Sequence, residues 1–263
     1  MLLKGERIAL HRHHDKLHDP HHTHVKDAER MTSKKSGSRE IQVMRRVLDA
    51  NDITAQRLRD RFARKKVFVL NVMSSPGSGK TTLLEKTLAH IMPAIKCAVI
   101  VGDICTTYDA DRLAAYGAPV IQINTEEFGG DCHLAAHVIE KALAGLNLDE
   151  INLLIVENIG NLVCPAEFDI GEDIRVVVLS VTEGEDKPAK YPLMFRECDA
   201  AVLNKIDLLP YLDYDKDFTV NEINKIHPHM PIFEVSAKSG AGFDLWLTWI
   251  REILRKKFEI AKK

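Results

Sequence analysis

From residue 67 onward, short apolar runs alternate with amphipathic stretches. The runs occupy 67–73, 97–101, 120–123, 151–156, 174–181, 200–203 and 232–235. Several are apolar without alternation, as in strands covered on both faces. This succession predicts an α/β domain with a mostly parallel sheet and helices on both sides. The segment 243–258 predicts a closing helix with Leu245, Trp246, Trp249, Ile250 and Leu254 on its apolar face. Upstream, Ile41, Val43, Met44, Val47, Leu48, Ile53, Leu58 and Phe62 recur largely at helical spacing, and Asn51-Asp52 marks a break into two helices. Residues 1–38 have almost no apolar periodicity and cannot bury enough surface to offset ordering entropy. The expected organisation is a disordered, His-rich tail over 1–38 and one domain over 39–263 with a helical extension at 39–65. Met31 offers an alternative start within that tail.

Composition narrows the picture. With 263 residues and 45% hydrophobic side chains, the chain has ample material for one core. Lys and Arg number 36 against 38 Asp and Glu, so a net charge of −2 exerts no global pull toward nucleic acid or anionic membrane. The sequence has no run of about 18 apolar residues and no apolar stretch where a signal peptide would carry one. A cytoplasmic protein without nucleic-acid or membrane partners is expected. Cys97, Cys105, Cys132, Cys164 and Cys198 are odd in number and lack CxxC spacing, which argues against a disulfide framework and leaves buried thiols or metal ligands.

The first predicted strand runs into Ser74-Ser75-Pro76-Gly77-Ser78-Gly79-Lys80-Thr81-Thr82, which opens a predicted helix. A phosphate-binding loop requires this context: glycines let backbone N–H groups turn inward, the helix N-terminus adds positive potential, Lys80 reaches the outer phosphates, and Thr81 offers a hydroxyl to Mg²⁺. Ser74 departs from the GxxxxGK[ST] pattern, which has glycine there. After the 200–203 run comes Asn204-Lys205-Ile206-Asp207, at a carboxyl edge where ligands bind in such sheets. Asp207 can accept both guanine N–H groups, Lys205 can cover the base, and Asn204 can tie the loop to its neighbours. Ser236-Ala237-Lys238 resembles a third base-contacting loop of GTPases. Together these elements predict GTP and GDP as ligands and GTP hydrolysis as the activity. A DxxG element is missing after 151–156, where Glu157-Asn158-Ile159-Gly160 stands instead. Glu157 is the natural Walker B carboxylate, and Asp103, ending the strand before it, is a second carboxylate suited to Mg²⁺, since an unpaired buried carboxylate has few structural reasons to exist. Arg112 is a candidate arginine finger, and no water-positioning glutamine is identifiable.

In order, the phosphate loop, Gly102-Asp103, Asp131-Cys132-His133-Leu134, Glu157-Asn158-Ile159-Gly160-Asn161-Leu162-Val163-Cys164-Pro165 and Thr182-Glu183-Gly184-Glu185-Asp186-Lys187-Pro188 resemble the HypB family of GTPases for nickel insertion into nickel-iron hydrogenase. The resemblance covers residues 40–263. It implies a SIMIBI-type G domain that dimerises with nucleotide, a HypA-type nickel chaperone and the hydrogenase large subunit as partners, and Cys132, His133 and Cys164 as ligands for Ni²⁺ or Zn²⁺ at or near the subunit contact. Thiolate and imidazole suit either ion. The spacing alone favours two buried cysteines and a helix-capping histidine, and it is the resemblance that turns the reading toward a metal site. Seven of the twelve histidines fall between His11 and His24, a cluster that suits weak, multiple nickel binding as well as a leader of no function. The CxxCGC motif of some members is absent.

Three other functions fit parts of the pattern. A urease-accessory nickel GTPase of the UreG type would carry Cys-Pro-His, whereas Cys132-His133 here has no intervening proline. A nickel-storage protein with vestigial GTPase activity would depend on the histidine tail, and a small-molecule kinase would not read guanine.

Overall fold

The computed structural model describes residues 24–103, 107–125 and 132–260. Side chains are described from residue 45 to residue 258 within these segments. Two units are present, 1–46 and 47–263. In the first, the backbone is helical from His24. The histidines from His11 to His22, as well as Cys105 and Asp131, lie outside the described residues.

Seven strands form one parallel sheet: β1 (Phe68–Ser74), β2 (Cys97–Asp103), β3 (Val120–Asn124), β4 (Leu153–Gly160), β5 (Ile174–Ser180), β6 (Ala200–Asn204) and β7 (Ile232–Glu234). Their order is β3-β2-β4-β1-β5-β6-β7, and every described pairing is parallel. Each apolar run of the sequence therefore became a strand. The central β1 is buried along its whole length, which explains why its sequence shows no polar alternation.

Period-two alternation sends successive side chains of a strand to opposite layers. Phe68, Leu70 and Val72 of β1 meet Leu83, Leu84 and Leu88 of α2 (Lys80–Ile91), Leu113 of α3 (Tyr108–Ala114) and Trp246, Leu247 and Ile250 of α9 (Phe243–Ile260). Val69 meets Leu58 and Phe62 of α1 (His24–Lys65) and Ile139 of α4 (Ala136–Ala142). Met73 joins Met194 and Phe195 of α7 (Pro192–Glu197) and Ile223 of α8 (Lys216–Ile226). Two short helices, α5 (Cys164–Glu167) and α6 (Lys187–Lys190), follow β4 and β5.

Two sequence expectations are corrected. The helix does not break at Asn51-Asp52, because α1 is continuous. Asn51 is buried, and its amide spans two other segments: Nδ2 donates to the Asp169 carbonyl at 2.7 Å and Oδ1 accepts from the Ala136 N–H at 2.9 Å. Its polarity serves tertiary bonds rather than a turn. In α9, Leu245 is 71% exposed, whereas Phe243, Trp246, Leu247, Ile250 and Leu254 are buried. Those five follow the three-and-four spacing of one face, and Leu245 lies about 100° from Trp246 around the axis. The indole of Trp246 donates to Thr87 Oγ1 at 2.9 Å, pinning α9 to α2.

Candidate functional site

All of the loops that carried chemistry in the sequence leave carboxyl ends of strands. The segment between β1 and α2 is the phosphate loop, and it borders a cavity of about 370 Å³. Pro76 through Thr82 line it, together with Asp103, Asp109, Arg112 and Glu157. Gly79 adopts φ +90°, and a Cβ there would lie 2.6 Å from Asn204 Nδ2, so both conformation and space demand glycine.

Lys80 is buried, and its Nζ donates to Ser74 Oγ at 2.7 Å. The Ser74 hydroxyl itself donates to the Ser75 carbonyl at 2.6 Å. The residue that departs from the glycine pattern thus holds the lysine. Burial lowers the Lys80 pKa, opposed by the Glu157 and Asp109 carboxylates. Thr81 Oγ1 donates to Glu157 Oε1 at 2.7 Å, and Glu157 Oε2 is buried with no protein partner. Burial pushes the Glu157 carboxyl up to about 7, against the pull of Lys80 and the Thr81 hydroxyl. A hydroxyl, an orphaned carboxylate oxygen and Asp103 at the neighbouring strand end form an oxygen set that suits Mg²⁺. Arg112 lies at the rim, engaged with Glu85 at 2.6 Å, Asp109 at 3.3 Å and Thr82 Oγ1 at 3.0 Å.

The Asn204-Asp207 loop is braced against the phosphate loop. Asn204 Nδ2 donates to the Ser78 carbonyl at 3.0 Å, and its Oδ1 accepts from the N–H groups of Lys205 at 2.8 Å and Ala237 at 3.1 Å. One amide therefore ties three expected elements together. Lys205 sits at φ 62°, a left-handed conformation unusual for lysine, and its Nζ reaches the Gly77 carbonyl at 2.7 Å. Asp207 Oδ1 is buried with no protein partner, as a carboxylate awaiting N–H donors would be. Ser236 and Ala237 are buried, and Lys238 is exposed.

At the far side of β4, the ligand atoms of Cys132, His133 and Cys164 all lie within 4.8 Å of one another. Cys132 is exposed, and the other two are half-buried. The His133 ring stacks on Phe168 at 3.7 Å between centroids, and Asn161 Nδ2 donates to the Cys132 carbonyl at 3.3 Å. Partial burial and then the neighbouring Cys164 thiol push the Cys132 thiol up to about 11. Two thiols and an imidazole at this separation can chelate one soft or borderline ion.

Two residues at the site had no role assigned to them from sequence. Asp109 enters the cavity from the first turn of α3, and its only local signal is an acidic residue near a helix start. Glu183, after β5, accepts from the Ser75 hydroxyl, while its Oε1 is buried without a partner.

A glycine-rich loop at the head of α2 and a base-side loop braced against it, on an all-parallel sheet, define a P-loop GTPase. Residues 68–234 match the family model for the CobW/HypB/UreG nucleotide-binding domain. The hydrogenase maturation factor HypB of Escherichia coli K12 is 51% identical over 215 residues, covering 82% of this chain and 73% of that protein. A crystal structure of HypB from Helicobacter pylori in complex with nickel superposes with a TM-score of 0.74 at 38% identity, covering 79% of this chain and 96% of that one. HypB from Archaeoglobus fulgidus gives 0.73 at 36% identity, covering 78% and 99%. The chain belongs to the HypB family.

Proposed function

We propose that this chain binds nickel at Cys132, His133 and Cys164 and uses GTP hydrolysis to control its delivery during nickel-iron hydrogenase maturation. The observation that carries this proposal is the convergence of those three ligand atoms within 4.8 Å, on segments that adjoin the strand ends of the phosphate pocket. The names of the relatives, hydrogenase maturation factor and nickel complex, support the same cargo and client.

In this proposal Lys80 leaves Ser74 for the outer phosphates, where its charge stabilises the negative charge of the transferred group. Thr81, Asp103 and Glu157 hold Mg²⁺, which when bound neutralises phosphate charge. Asp207 accepts the guanine N–H pair, Lys205 covers the base, and the Ala237 segment borders it. Asn204 preorganises both sides of the pocket through its three hydrogen bonds. Arg112 is placed at the rim, where breaking its pair with Glu85 would free a cation for the phosphates.

Three ligands leave a coordination position for a fourth, which a second subunit supplies in a nucleotide-dependent homodimer. A HypA-type chaperone and the hydrogenase large subunit are the partners from which nickel arrives and to which it passes; Zn²⁺ competes for the same donors. The test is GTP-dependent dimerisation of the full chain, followed by light scattering with Ni²⁺ or Zn²⁺. Wild type should dimerise with metal and GTP, and Cys132→Ala should lose the metal effect. Metal-independent assembly in both proteins would reject the proposal.

A further inference from the structure

The two ligand sites share two strand ends. Strands β2 and β4 are neighbours, with Val101 paired to Glu157. Alternation sends the side chains of Asp103 and Glu157 to the layer of Val99, Val101 and Ile155 and that of Asn158 to the layer of Ile100, Leu154 and Val156, while Gly102 and Asn158 themselves also border the phosphate cavity. One residue sits on both of the latter. Leu134 is fully buried, and its backbone N–H donates to Asn158 Oδ1 at 3.3 Å. Its side chain fills the space left by the missing side chain of Gly102, where an added Cβ would lie 2.8 Å from Leu134 Cδ1. Leu134 directly follows Cys132 and His133.

Asn158 is in turn held from behind. It is buried, its Nδ2 donates to Asn71 Oδ1 at 3.2 Å, and Asn71 Nδ2 donates to Glu172 Oε1 at 3.2 Å. Asn158 thus links the β4 end to Leu134 on one side and, through Asn71, to Glu172 on the other. The third ligand, Cys164, comes from α5, beyond β4. Cys132-His133 and Cys164 thus rest on the strand ends through different segments, the first through Leu134 and the second through the 161–163 connection.

We propose that Leu134, seated on Gly102 and Asn158 behind the two pocket carboxylates, is the positioning residue through which the state of the phosphate pocket sets the spacing of the Cys132-His133-Cys164 cluster. The proposal rests on the nickel-binding function given above and names its regulation. Close packing makes such a wedge effective, because a filled interior transmits small displacements that a loose one absorbs.

The experiment titrates the full chain with Ni²⁺ in GDP and in a nonhydrolysable GTP analogue. Thiolate-to-nickel charge-transfer absorption is the readout, since an imidazole-only histidine cluster does not produce it. In wild type the two affinities should differ by about fivefold or more. Leu134→Ala should bring the ratio close to one while GTP kcat stays within about twofold of wild type, and Leu134→Met, which conserves volume, should keep the ratio. A Leu134→Ala protein that retains the wild-type ratio overturns the linkage and leaves the metal site standing. A wild-type ratio of one instead removes the switch itself, along with the linkage. If Leu134→Ala fails to fold by circular dichroism, Gly102→Ala takes its place: its Cβ displaces the Leu134 side chain, and an unchanged affinity ratio there overturns the proposal.

Discussion

The phosphate pocket and the Cys132-His133-Cys164 cluster flank the same strand ends and are built in opposite ways. In the pocket, Lys80, Thr81, Glu157 and Asn204 are buried and engaged with their neighbours: Lys80 with Ser74, Thr81 with Glu157, and Asn204 with Ser78, Lys205 and Ala237. In the cluster, one ligand is exposed, two are half-buried, and support comes from a ring stack and a bond to a backbone carbonyl. The buried side chains of the pocket are ordered by their mutual hydrogen bonds as the chain folds. The surface cluster keeps its donors accessible, as exchange of a cargo ion requires, and is open to completion from outside.

The contrast is sharpest at Lys80. Lys80→Ala should lower GTP turnover by about a hundredfold or more, measured as phosphate release, because a buried, positioned cation stabilises phosphate charge that water would not. Nickel titrated in GDP should be nearly unaffected. Full turnover in that variant would break the assignment of the pocket.

Glu157 tests the energetic side of the same difference. Its carboxyl is raised from 4.5 to about 7 in the fold, so between those values the folded chain holds a proton that the unfolded chain has released. Stability of the nucleotide-free protein should therefore fall as pH rises through this window, by on the order of 3 kcal/mol from this group, and level off above it. Glu157→Gln should remove that component in denaturant melts at pH 5 and pH 8. An unchanged slope would mean that the carboxyl is not strained by burial.

Removing a cluster donor should separate the sites in the other direction. Cys164→Ala should weaken nickel binding by about tenfold or more, read by equilibrium dialysis against a competing chelator, and leave GTP turnover within about twofold. Comparable losses in both would erase the contrast. The smallest effect is expected at Ser74. Ser74→Ala strips a hydrogen bond from a buried ammonium and should cost about 1–2 kcal/mol of nucleotide-free stability, with kcat little changed.

The strands were legible because burial on both faces writes a nearly continuous apolar run, and the phosphate loop because its glycines, lysine and helix start are adjacent in the chain. Asn51 was misread, since a polar residue in a helix has the same local appearance whether it ends the helix or bonds to Asp169 and Ala136. Leu245 was assigned to the wrong face for lack of a partner surface to choose between neighbouring apolar positions. Asp109 gave almost no signal, and Glu183 stood only inside a family string without a role of its own, because their places in the site depend on which strand ends stand beside the loop after β1.

Period, caps and glycine positions act over a few residues, so the amino-acid order alone settled which segments became strands and which loops bear reactive groups. The order β3-β2-β4-β1-β5-β6-β7 depends on how crossover helices pack over the sheet, a long-range property. That order set β2 beside β4, so that Asp103 and Glu157 share the phosphate cavity while the open face of Gly102 and the side chain of Asn158 meet Leu134. Packing across those ends brought Cys132, His133 and Cys164 within reach of one ion, a meeting of distant segments that no local spacing encodes.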